Sequence, residues 1–183
     1  MSGKPARPIV SSAHLVSEQA AELSAFEYGL IIASNAFERW TVRCMAAAGY
    51  GDLGALDILV LHSVNHRDRA KRLADLCFVL NVEDTHTVNY ALKKLVRFGL
   101  VEATKSGKET HYAVSPAGRE ACLRYREVRE ACLTQGFAAF AGKAAGEAGD
   151  GDGDLNRLVG ETADVLRALS GLYDQAARAA ASL

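Results

Sequence analysis

The sharpest alternation of apolar and polar positions lies between Asp84 and Val101, DTHTVNYALKKLVRFGLV. Val88, Ala91, Leu92 and Leu95 recur at helical spacing and make one apolar face. Asp84 stands where a cap accepts from the first free amides, Gly99 ends the helix, and Leu100 and Val101 begin an apolar strand. The remaining positions are Thr85, His86, Thr87, Asn89, Tyr90, Lys93, Lys94 and Arg97, a face of hydroxyls, amide, phenol and cations. Such a face suits the major groove of DNA. Solvation of an ordinary helix is the plainer account of the same cations.

The other elements are read the same way. From about Leu15 to Ala48 the pattern predicts one long helix. Leu23, Phe26, Leu30, Ala33, Phe37, Trp40 and Cys44 step by threes and fours, a heptad-like seam. Leu30, Ile31 and Ile32 make that helix apolar on more than one side, so it needs its own domain and another chain as neighbours. A second helix is expected from Leu53 to about Asn65, with Leu56, Leu59, Val60 and Val64 inward. After a polar break at His66–Arg69, Ala70 to Leu80 predicts a short helix with Leu73, Ala74, Leu76 and Cys77 inward. A turn over 81–84 then leads into the 84–98 helix, making a helix-turn-helix.

Beyond Gly99, Leu100–Thr104 and Thr110–Ser115 alternate about a turn at Lys105-Ser106-Gly107-Lys108. This is a β-hairpin with a basic tip. Ser115-Pro116 opens a helix running to about Ala141, with Gly118, Cys122, Tyr125, Val128, Cys132, Phe137 and Phe140 on its apolar side. Residues 142–154 read as a Gly/Asp-rich linker. A last helix from about Leu155 to Ala180 repeats Leu155, Leu158, Thr162, Val165, Leu169, Leu172 and Ala176 at threes and fours. The expected fold is mainly α with a small β-hairpin wing. A winged helix-turn-helix over 51–118 is flanked by long N- and C-terminal dimerisation helices within 13–50 and 119–183, and residues 1–12 form a flexible arm. Leu23, Phe26, Leu30, Leu158, Val165, Leu169 and Leu172 are the expected dimer positions.

Charge changes this picture only through its distribution. The chain of 183 residues carries a net −1, which announces no particular partner. Between Asn65 and His111, however, nine Lys/Arg face six Asp/Glu, a net +3 that leaves −4 elsewhere. A DNA-facing middle between neutral-to-acidic ends fits that asymmetry. Its apolar fraction of 49% suffices for a core. With no signal-peptide start, no membrane-length apolar run and four cysteines without paired spacing, a cytoplasmic protein with reduced thiols and no membrane partner is expected.

Rival chemistry is thinly supported. His62 and His66 have the i, i+4 spacing of metal ligands, but histidines near a helix end also satisfy terminal carbonyls. Asp150, Asp152, Asp154, Asn156 and Glu161 mimic a calcium loop, yet Leu155 stands where the turn wants Gly, and a linker capping the last helix is simpler. Cys122, between Arg119 and Arg126, is the best candidate for a redox-sensing thiol, whereas Cys44, Cys77 and Cys132 read as core. No nucleophile elbow, phosphate loop, dinucleotide fingerprint or zinc-hydrolase helix is present, so neither an enzyme nor a cofactor is expected.

Several stretches between Leu56 and Gly118 resemble the MarR family of bacterial winged-helix regulators. They are Leu56–Leu61, Arg72-Leu73-Ala74-Asp75-Leu76, Thr87-Val88 with Leu92, Leu95 and Gly99-Leu100-Val101, and the exit Val114-Ser115-Pro116-Ala117-Gly118. The flanking helices extend the likeness to most of the chain. The resemblance implies a homodimeric transcription regulator that binds palindromic double-stranded DNA. Thr85, Thr87, Asn89, Tyr90 and Lys93 would approach bases, with His86 also on the DNA-binding face. Lys94, Arg97, Lys105 and Lys108 would hold phosphates, with Arg69, Lys71 and Arg72 adding backbone contacts. It also places a small effector in the angle between the dimer helices and the winged helix, near Phe37, Trp40 and Tyr125. The wing departs from the family pattern, being short and free of arginine, so phosphate contact replaces an inserted minor-groove arginine. The alternative is a winged helix that binds a partner protein and no specific DNA.

Overall fold

The computed structural model describes residues 10, 13–17, 19–137 and 152–183. All of the expected 1–12 arm but residue 10, most of the 142–154 linker and Phe140 lie outside them. The chain divides into two units, residues 1–128 and 129–183, each taken by itself.

In the first unit α1 (Ala21–Ala47) begins later than the predicted Leu15. Ser24 Oγ donates to the Leu15 carbonyl at 2.8 Å, and Ser17 Oγ accepts from the Ala20 amide at 3.1 Å. These side chains satisfy backbone groups that a continuous helix would have claimed, and so hold Leu15, Ser17 and Ala20 out of it. α2 (Ala55–Asn65) starts after Gly54 rather than at Leu53, because the Asp57 carboxylate accepts from the Gly54 amide at 2.8 Å and caps the first turn.

The short helix is also shorter than its pattern. Lys71–Arg72 forms a strand, β1, and only then does α3 (Leu73–Leu80) begin. Ala74 is exposed rather than inward, whereas Leu76 and Cys77 are buried. Asn81 closes α3 in the left-handed region at φ 52, and α4 (Thr85–Arg97) follows. β2 (Val101–Ser106) and β3 (Glu109–Val114) pair antiparallel from Val101↔Val114 to Ser106↔Glu109. The turn is therefore two residues, Gly107-Lys108, with Gly107 at φ 63; Lys105 and Ser106 belong to the strand. β1 pairs with β3 through Lys71↔Tyr112 and Arg72↔His111, so the expected hairpin is a three-stranded sheet in the order β1-β3-β2.

α5 (Pro116–Arg129) leaves the sheet at a tight corner. Ser115 Oγ donates to the Gly99 carbonyl at 2.6 Å and accepts from the Gly118 amide at 3.0 Å. A Cβ on Gly118 would lie 2.1 Å from the Leu100 carbonyl oxygen, so this approach of helix to strand needs glycine. Ile58, Leu61, Val64, Val88, Leu92, Leu95, Leu100, Ala121 and Met45 form the centre of one buried cluster. Full burial of each such large side chain is worth about 1.5–3 kcal/mol.

In the second unit a π-helical turn spans Glu130–Thr134, and α6 (Asp152–Ala180) begins inside the predicted linker. Asp152 and Asp154 are thus helical, which removes the calcium-loop geometry; Asp150 lies outside the described residues. No residue whose burial is described in this unit is buried. No helix among the described residues is long and apolar enough to cross a membrane.

Candidate nucleic-acid interface

The α4 helix is capped and clamped at its start. Asp84 Oδ1 accepts from the His86 amide at 2.9 Å, and Thr87 Oγ1 donates to the Asp84 carbonyl at 2.8 Å. Val88, Ala91, Leu92 and Leu95 are at most 1% exposed, which fixes the helix's rotation about its axis. Thr85, His86, Thr87, Tyr90, Lys93 and Arg97 are consequently exposed, and Asn89 is half-buried. Arg97 lies over the Phe98 ring at 5.9 Å, a cation–π arrangement that extends its guanidinium along the surface. Lys105 and Lys108 stand exposed at the distal end of the wing.

Three cations behave differently from expectation. Lys94 does not project outward. Its Nζ lies 2.6 Å from Asp57 Oδ2, with side-chain exposures of 20% and 10%, so the recognition helix is pinned to the start of α2. One carboxylate oxygen therefore caps α2 and anchors α4. Lys71 is buried as well. Its ammonium donates to the Val64 carbonyl at 2.8 Å, to that of Arg69 at 3.1 Å and to that of His66, so it braces the 64–69 segment from inside. A buried ammonium must be compensated, and three carbonyls do this. Neither Lys71 nor Lys94 is placed to hold a phosphate. Arg72 remains exposed but is shared between Asp75 at 3.1 Å and Glu109 at 3.4 Å. The hydrogen bond from Arg72 holds the Asp75 carboxyl below its ordinary value. Besides Arg72, the expected cations that stay exposed are Arg69, Lys93, Arg97, Lys105 and Lys108.

Asp57 was not visible as part of this site from the sequence. Its box spacing with Gly54 marks a helix start, but nothing local connects it with Lys94.

The rival sites also resolve. Cys122 is buried, and burial pushes its thiol up to about 11, the reverse of a sensing thiolate. Cys132, expected in the core, is exposed. His62 packs edge-on against Tyr125 at 4.6 Å, and burial lowers its pKa. His66 is exposed, and no group of three His, Cys, Asp or Glu side chains suited to a metal comes together among the described residues.

A capped, amphipathic helix followed directly by a two-residue-turn wing and a glycine-dependent corner is the geometry of a groove-reading module. The sequence model for the winged helix DNA-binding domain matches residues 53–118. The stretch 53–118 is therefore similar to a winged helix DNA-binding domain. It holds α2 to α4, the whole sheet and the Ser115–Gly118 corner, so the Asp57–Lys94 pair lies wholly inside it.

Solved structures extend the likeness beyond this domain. A cysteine-to-serine mutant of MarR from E. coli, complexed with operator DNA, is 17% identical with a TM-score of 0.56, covering 80% of this chain and 99% of that one. CouR from Rhodococcus jostii RHA1, bound to p-coumaroyl-CoA, is 14% identical with a TM-score of 0.56, covering 79% and 90%. A MarR-family regulator from Rhodococcus sp. RHA1 is 13% identical with a TM-score of 0.56, covering 84% and 96%. At these identities the likeness is one of fold, and the chain has the fold of MarR-type transcriptional regulators. The search of curated proteins returned no match.

Proposed function

We propose that two copies of this chain form a homodimer that binds palindromic DNA sequence-specifically and regulates transcription in the bacterial cytoplasm. The observation that carries this reading is the outer face of α4. Its polar side chains are exposed because four buried residues and the Asp57–Lys94 pair fix the helix's rotation. Thr85, His86, Thr87, Asn89, Tyr90 and Lys93 approach base edges, and Arg69, Arg97, Lys105 and Lys108 hold phosphates. Arg72 contributes only by exchanging a carboxylate for a phosphate.

The dimer is supported by the terminal helices. On α1, Leu23, Leu30, Ile31, Ile32 and Phe37 are exposed; on α6, Leu158, Val159, Val165, Leu166 and Leu172 are exposed. Stripes of this extent are rarely left to water. A second copy covers them and sets two recognition helices about 34 Å apart, one turn of duplex. CouR binds p-coumaroyl-CoA, and a small effector belongs to the present reading too, in the expected angle near Phe37, Trp40 and Tyr125.

Salt dependence tests the reading. Affinity for operator DNA falls linearly with salt on logarithmic axes, and Lys105→Ala lowers the slope by roughly 1. Asn89→Ala relaxes base preference by about 1–3 kcal/mol. If the chain shifts no DNA at low salt and neither substitution has an effect, the winged helix binds protein instead.

A further inference from the structure

We propose that the cleft between α2 and α3 binds a small aliphatic carboxylate, with the Arg67 guanidinium on its head group. The cleft measures about 500 Å³, within the range of small-molecule sites. Leu59, Leu76, Val79 and Leu80 make its apolar part, and no Phe, Tyr or Trp lines it. Arg67 and Arg69 line the polar part, at the mouth of the 66–70 segment. Lys71 and Asp75 also border it, but the ammonium is held by backbone carbonyls and the carboxylate by Arg72. The charge offered to an occupant is therefore that of two guanidiniums, which pair with carboxylates in bidentate fashion. Phe37, Trp40 and Tyr125 are not among its lining, although His62, which is, packs against Tyr125.

Arg67 adds an observation of its own. Its backbone lies in the left-handed region at φ 63, ψ 22, where glycine or asparagine is the ordinary choice. Such a conformation persists only where its surroundings impose it, and these positions gather at ligand sites. Here the imposing group is the buried Lys71 ammonium, which gathers the carbonyls of Val64, His66 and Arg69 on both sides of Arg67. The fold thus commits a buried cation to holding the segment that presents Arg67. His62 gives the same cleft an imidazole wall kept neutral by burial, which leaves the apolar end without a second charge.

Calorimetric titration of octanoate into the full chain, without DNA, tests this. Saturable binding at one site per chain is expected, weaker by roughly 10–100-fold in Arg67→Asn. Asparagine tolerates the left-handed backbone, so the variant's unfolding temperature without ligand stays as in the parent. If it does not, the methyl resonances of Leu76, Val79 and Leu80 in the parent chain decide. Octanoate shifts them if the site is real and leaves them unmoved if it is not. No saturable binding, equal affinity in Arg67→Asn, or equal affinity for uncharged octanol overturns the proposal. Tighter binding of benzoate than octanoate overturns the aliphatic assignment. The titration contains no DNA, so its failure and a failure of DNA binding are independent results.

Discussion

The winged helix and the terminal helices are both rich in apolar residues, but they use them in opposite ways. In the winged helix Leu61, Val88, Leu92 and Leu95 are fully buried, and the pair Lys94–Asp57 ties two of its helices together. In α6, Leu158, Val165 and Leu172 are each about half exposed, and α1 keeps Ile31 and Phe37 in the same state. One region is complete within a single chain. The other leaves its apolar stripe exposed in a single chain, which the proposed dimer would cover. The same hydrophobic spacing therefore marks a buried core in one case and an exposed stripe, the proposed interface, in the other, and only burial tells them apart.

The buried core of the winged helix responds most strongly to substitution. Leu92→Ala leaves a cavity under the recognition helix and lowers the unfolding free energy by about 2–5 kcal/mol, read by denaturant titration. At the unfilled end, Leu30→Asp or Leu172→Asp places a charge in the proposed interface. Sedimentation should then show aggregated or unfolded protein; a folded, monodisperse monomer would show that the stripes do not need a second copy. Asp57→Ala is smaller and more informative. It removes the α2 cap and leaves the Lys94 ammonium without its partner, at about 1–3 kcal/mol. DNA affinity should fall although Asp57 contacts no DNA, while Lys94→Met, which removes the charge with the contact, should restore part of the stability of Asp57→Ala. Losses in the two single variants that simply add in the double variant would show that the pair does not couple.

The smallest effect concerns pH. Burial lowers the His62 pKa below its ordinary 6.5, so the unfolded chain takes up its proton first as pH falls. The neutral imidazole's contribution is present above about 6.5 and is lost as pH falls through the lower, folded value. Stability measured from neutral to mildly acidic pH should decline, and His62→Phe should flatten that decline. An unchanged slope would assign the acid sensitivity to other groups.

These contrasts also mark what the sequence made legible. The α4 helix was readable almost to the residue because its cap, its apolar period and its closing glycine are all local, from Asp84 to Gly99. The Val114–Gly118 exit was readable for the same reason, and the structure supplies its cause in the contact between Gly118 and Leu100. The fates of Lys71 and Lys94 were not readable. Each is an ordinary surface cation by spacing, and each is claimed by partners the local pattern does not show: three carbonyls for one, a carboxylate 37 residues away for the other. β1 was missed because two residues carry no alternation, and its pairing with β3 is nonlocal. α1 began late because serine side chains, rather than apolar spacing, decide where its first turn forms.

If α4 reads DNA as one of two symmetric copies, selection of bound sequences from a random duplex pool by the 183-residue chain enriches an inverted repeat. Its half-sites lie one helical turn apart, about 10–10.5 base pairs centre to centre. A pool that stays random after selection, or that converges on a single unrepeated site, would contradict this reading.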